Sequence, residues 1–83
     1  MTNEQIEKFV EQGRIDKGSV KIDFKTRNSM VGIFIKSADY NDLKSKNFWR
    51  IVTGPNAEVW RKNRDNSLAR IFNGSEITKL TAV

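Results

Sequence analysis

Eighty-three residues, 37% of them hydrophobic and none of them cysteine, allow one domain with a small core and no disulfide to reinforce it. No apolar run approaches the roughly 18 residues of a membrane-spanning helix, and the absence of both His and Cys removes the commonest general base, nucleophile and metal ligands, so neither catalysis nor a cofactor or metal is expected. The net charge of +5 is uneven: residues 1–13 carry three Glu and one Lys, whereas residues 14–83 carry fourteen Lys and Arg against seven Asp and Glu. A basic body of this kind suits an anionic partner, nucleic acid being the commonest, or serves as a solvated surface that keeps a small protein soluble.

The chain opens with a helix signal over about residues 3–12. Thr2-Asn3-Glu4-Gln5 fits a capping box, Ile6, Phe9 and Val10 form one apolar stripe, and Gly13 is a natural stop. This acidic, amphipathic start lacks the basic end and apolar centre of a signal peptide, so a cytoplasmic location is expected. The helix is too short to stand alone in water, and its stripe needs a surface to pack on. Ser19 to Lys25 alternates strictly, with Val20, Ile22 and Phe24 on one face of a strand, and residues 26–29 make a turn. Met30 to Ile35 is apolar on both faces. Its outer face therefore calls for cover from the N-terminal helix or a neighbouring subunit, and Gly32 suggests a sharp bend.

Ser37 to Lys46 reads as a polar loop, Asn47 to Val52 as a third strand and Gly54-Pro55-Asn56 as a turn. Residues 57–66 are compatible with an extended hairpin or a helical turn. Leu68 to Phe72 forms a fourth strand, Asn73-Gly74 a tight turn of the two residues that best tolerate positive φ, and Glu76 to Leu80 a fifth strand. One helix and five short strands joined by tight turns predict a single mainly β domain over residues 1–83, with a small five-stranded antiparallel barrel, strongly bent, over about residues 18–81.

This order resembles the Sm/LSm family, an SH3-like barrel. Val20-x-Ile22-x-Phe24, the turn at Arg27-Asn28 and Gly32-x-Phe34 are similar to its first motif. Residues 71–80, Ile-Phe-Asn-Gly-Ser-Glu-Ile-Thr-Lys-Leu, are similar to its second, with Asn73 where the family has arginine. The resemblance implies a ring-shaped homo-oligomer in which the fourth strand of one subunit pairs with the fifth of the next. That pairing would cover exposed sheet edges and add burial to a small core. It also implies a pocket for single-stranded RNA: Tyr40 at the position that stacks on a base, Asn41 and Asp42 beside it, and Asn73-Gly74 at the turn. Tyr40 is alternatively a rim residue, and Asn73-Gly74 is alternatively only a turn. Lys44, Lys46, Arg50, Arg61, Lys62, Arg64 and Arg70 form either a phosphate-binding surface or a solvated rim. Trp49 and Trp60 read as core or interface residues, Trp60 being the better contact candidate because it adjoins Arg61 and Lys62. The rival readings are a protein-interaction module with the same barrel and a ring-forming structural subunit, neither with a role in nucleic-acid binding.

Overall fold

The computed structural model describes residues 1–13 and 15–83. Helix α1, Asn3–Glu11, starts as its capping box requires. The Thr2 hydroxyl accepts from the Gln5 backbone N–H at 3.2 Å, and the Gln5 side chain accepts from the Thr2 N–H at 3.0 Å. Gly13, with φ of 106°, carries the chain out of the helix in a conformation costly for other residues. Ile6 and Val10 are fully buried.

The five strands are β1 (Val20–Phe24), β2 (Met30–Phe34), β3 (Phe48–Thr53), β4 (Arg70–Asn73) and β5 (Ile77–Ala82). They form one antiparallel sheet in the order β4-β3-β2-β1-β5. Within this sheet β4 and β5 are the two edges and do not pair with each other, so the sheet is not closed into a barrel. It nevertheless curls. Phe24 on β1 and Phe72 on β4 lie three strands apart, about 14 Å in a flat sheet, yet their ring centroids are 5.8 Å apart. Inside the curl, Val20, Ile22, Phe34, Trp49, Ile51, Ile77 and Leu80 pack with Ile6, Val10 and Tyr40.

Two helices replace expected loops. The polar stretch after β2 contains α2, Tyr40–Ser45, which buries Tyr40 against the end of the curl. The expected turn at Gly54-Pro55-Asn56 is instead the first turn of α3, Gly54–Asn63. Proline there starts a helix because the missing N–H has no intrahelical partner and the fixed φ is already helical. The helix ends at Arg64 in the left-handed region, whose N–H bonds to the Trp60 carbonyl at 2.6 Å.

Helix α3 answers the question raised by the two-faced β2. Its Ala57 and Trp60 pack on Ile33, Ile35 and Val52, a second core cluster on the outer face of the sheet. The cover expected from α1 or a neighbouring subunit thus comes from residues 54–63 of the same chain, while α1 caps the inner cluster. Gly32 has a packing role: a Cβ there would stand 2.7 Å from Ile51 Cγ2 and 2.9 Å from the Val52 carbonyl oxygen, so glycine lets β3 approach. Among the described residues, no helix is long and apolar enough to cross a membrane.

Candidate functional site

The two sequence stretches expected to build an RNA pocket meet at one end of the sheet, beneath α1. Tyr40, Asn41 and Asp42 form the first turn of α2. Asn73 ends β4, and Gly74 opens a 3-10 turn, Gly74–Glu76. Asn47, just beyond α2, joins them, because its carbonyl accepts from the Gly74 N–H at 2.7 Å. Helix α1 closes over both. Its Asn3 amide donates to the Lys44 carbonyl at 3.2 Å, and Ile6 lies against Gly74.

This closure removes Tyr40 from the stacking role. Tyr40 is only 6% exposed. Trp49 meets it edge-on with centroids 6.0 Å apart, and the ammonium groups of Lys36 and Lys44 stand 5.6 and 5.1 Å from its centroid. Its hydroxyl donates to Glu11 at 2.6 Å. Burial, reinforced by the Glu11 carboxylate, pushes the phenol pKa well above the ordinary tyrosine value. In turn the phenolic hydrogen bond, helped by Lys44, holds the Glu11 carboxyl below its usual range. The ring expected to receive a base is a core element tying α1 to α2.

Asn41 and Asp42 are exposed on α2. Asn73 is exposed too, but its side-chain oxygen already accepts from the Ser75 N–H and hydroxyl at 3.0 and 2.8 Å. Its backbone is extended, and Gly74 has no positive φ. The expected αL turn at Asn73-Gly74 is therefore a side-chain-capped 3-10 turn. Glycine is needed for space: a Cβ on Gly74 would overlap the Asn47 amide and lie 2.7 Å from Ile6 Cδ1.

The expected basic surface divides into two sets. Lys44 is ion-paired with Glu7 at 2.6 Å and Glu11 at 3.3 Å, and hydrogen bonding to Glu7 raises its pKa. Arg50 grips Asp39 with two bonds, Nε to Oδ1 at 3.1 Å and Nη2 to Oδ2 at 2.8 Å. That fork, with a bond from Ser37, holds the Asp39 carboxyl far below the carboxylate range. Lys46 stands 3.9 Å from Asp42, a loose, exposed pair. Arg61, Lys62 and Arg64, by contrast, are exposed at the C-terminal end of α3, and among the described residues none of them is ion-paired. The Arg64 guanidinium lies 4.4 Å from the Trp60 ring, and Arg61 Nη2 donates to Ser19 Oγ at 3.3 Å. Trp60 itself is 2% exposed, so it serves the core beneath these cations.

One feature of the surface has no counterpart in the sequence reading. A cleft of about 540 Å³ opens at the seam left by the curled sheet, with Phe24, Arg27, Arg70, Phe72, Asn73 and Glu76 among the residues that line it. The Arg27 guanidinium lies 5.3 Å from the Phe24 ring and 5.8 Å from the Phe72 ring. Arg27 and Arg70 are exposed and, among the described residues, unpaired. Only the curl brings Phe24 and Phe72 together, so no local pattern announces the cleft. Comparison with protein-family models, with curated proteins and with solved structures finds no match to this chain.

Proposed function

We propose that this chain is a non-catalytic, cytoplasmic binding module of Sm-like, SH3-like barrel type, which associates with copies of itself through its sheet edges and binds single-stranded RNA. The observation carrying this reading is the sheet order β4-β3-β2-β1-β5 with both terminal strands unpaired. Such a sheet offers a free donor–acceptor row on each side, and β4 adds Ile71, 50% exposed. Pairing β4 of one copy with β5 of the next satisfies both rows and completes the curl as a barrel-like wall. The RNA half of the reading rests on Arg27, Arg61, Lys62, Arg64 and Arg70, which form no ion pair among the described residues, whereas acidic side chains neutralise Lys44 and Arg50.

Light scattering at micromolar concentration tests assembly: several copies per particle are expected, and a monomer refutes edge pairing. Titration of labelled oligo-U and oligo-A tests the ligand. Binding should weaken log-linearly with salt, as displaced counterions require, and no binding of either oligonucleotide at low salt removes RNA from the reading. The protein-interaction alternative also has a specific observation in its favour, since an open β4 edge can accept an extended peptide from another protein. Affinity that is nearly indifferent to salt would select it.

A further inference from the structure

We infer that the cleft at the open seam, rather than the end of the sheet beneath α1, holds a nucleotide unit of the single-stranded RNA, its base against Phe24, Phe72 and Arg27 and its phosphate charge met by Arg27 and Arg70. This inference rests on the RNA reading above and assigns its site; Arg70, Ile71 and Phe72 belong to the β4 edge, so the cleft is open in a copy whose β4 is unpaired. Four observations converge on the same few residues. The volume, about 540 Å³, falls within the range of small-ligand sites and exceeds what one side chain would fill. The floor is aromatic: Phe24 and Phe72 are partly buried against the inner core cluster, with ring centroids 5.8 Å apart. The rim is cationic and unpaired. Arg27 is already held over both rings, which places a planar, delocalised cation where a base can stack without reorganising the site. Finally, Asn73 lines the cleft with its carbonyl committed to Ser75, which orients the amide and leaves Nδ2 as a donor with no protein acceptor among the described residues.

Charge complementarity selects an anionic occupant. Two arginines face one carboxylate, Glu76, which forms no ion pair with either. An acidic peptide shares the charge but has no general use for an aromatic and guanidinium floor, whereas every nucleobase presents a π-face to it. The end beneath α1 offers none of this: Tyr40 is enclosed, and Lys44 is already neutralised by two glutamates.

The test uses the full chain and labelled oligo-U and oligo-A. Arg27→Ala and Arg70→Ala change exposed side chains, so both variants should keep the wild-type urea midpoint. Each should weaken binding by roughly tenfold, with the salt slope falling by about one, whereas Lys8→Ala, an exposed cation on α1 outside the basic set, should change affinity less than about twofold. Photo-crosslinking of a 4-thiouridine oligonucleotide should label Phe24 or Phe72, which reads the site directly. If wild type binds the oligonucleotides but both arginine variants bind equally well and crosslinks fall on α3, this site is wrong while RNA binding stands. If wild type binds neither oligonucleotide, the RNA function itself fails. If an acidic peptide binds, competes with the oligonucleotide and loses affinity in Arg27→Ala more than the oligonucleotide does, the cleft is a peptide site and the assignment is overturned.

Discussion

Replacing Gly74 with alanine adds one methyl group at the most crowded of the described glycine positions. Its Cβ would overlap Asn47 Oδ1, stand 2.6 Å from Asn47 Cγ and lie 2.7 Å from Ile6 Cδ1. Asn47 cannot simply swing aside. Its Oδ1 accepts from Trp49 Nε1 at 2.9 Å, its Nδ2 donates to the Met1 carbonyl at 3.1 Å, and its own carbonyl is tied to Gly74 at 2.7 Å. Moving the amide by the ångström or so needed leaves the Trp49 N–H without a partner, which costs about 1–3 kcal/mol, and overpacking against Ile6 adds roughly 1–3 kcal/mol. The sum, about 2–6 kcal/mol, is a large share of the roughly 4–12 kcal/mol available to a domain of this size. At a urea m-value near 1 kcal/mol/M the denaturation midpoint should fall by about 2 M or more. Gly54→Ala is the control. There the nearest atom is the Val31 carbonyl oxygen at 3.3 Å, and the change should stay within about 1 kcal/mol. A Gly74→Ala midpoint within about 0.5 M of wild type would refute the packing account and return Gly74 to the role of an ordinary turn residue.

Tyr40 is the chain's one tyrosine, so its ionisation can be followed by ultraviolet absorbance. Its folded pKa is raised by burial, so its contribution to stability is complete below the unfolded value, near 10, and is lost as pH rises beyond it. Tyrosinate should appear only with alkaline unfolding; native protein titrating near pH 10 contradicts the burial. Asp39 works in the opposite sense: its depressed pKa gives stability that is present above the ordinary carboxylate range, near 4, and lost as pH falls through the lower folded value. Asp39→Asn should therefore show a shallower stability loss than wild type on acidification below about pH 4, and identical acid profiles would show that the Arg50 fork contributes nothing. Trp60→Ala should cost about 3–5 kcal/mol by opening the outer cluster, measured by thermal or urea melting; a loss under 1 kcal/mol would mean that α3 is not a structural cover.

What the sequence made legible were the features written in local pattern. The Thr2–Gln5 box and the Ile6–Val10 stripe mark α1, and the alternation of Val20, Ile22 and Phe24 marks β1. The misread segments are those in which a local signal has two physical meanings. Pro55 after Gly54 reads as a turn or as a helix start, and only the placement of Ala57 and Trp60 over Ile33, Ile35 and Val52 decides between them. Helix α2 has six residues, under two turns, too short for periodicity to register. Glycines 32 and 74 were legible as special positions, but the reason, neighbours at contact distance, is tertiary. The same holds for the candidate site: Tyr40 lies where a resemblance puts it, yet whether it faces a ligand or the core depends on α1 closing over it from more than twenty-five residues away.

The outer cluster changes the grounds on which self-association can be argued. A strand apolar on both faces, in a domain with little core, calls for a partner surface, and that demand is met within the chain by α3. Hydrophobic burial is therefore no longer the reason to expect assembly; the sheet edges are. These edges differ in kind. Strand β5 exposes Thr78, Lys79 and Thr81, and a lysine on an edge discourages indiscriminate pairing. Strand β4 has Ile71 half-exposed next to Arg70, its charge standing at one end of the strand. Pairing β5 with β5 would bring two Lys79 side chains into one short ladder, whereas pairing β4 with β5 joins the apolar edge to the guarded one. Unlike edges joined in this way form a head-to-tail contact, and head-to-tail contacts build closed rings when the rotation per subunit closes and open filaments when it does not.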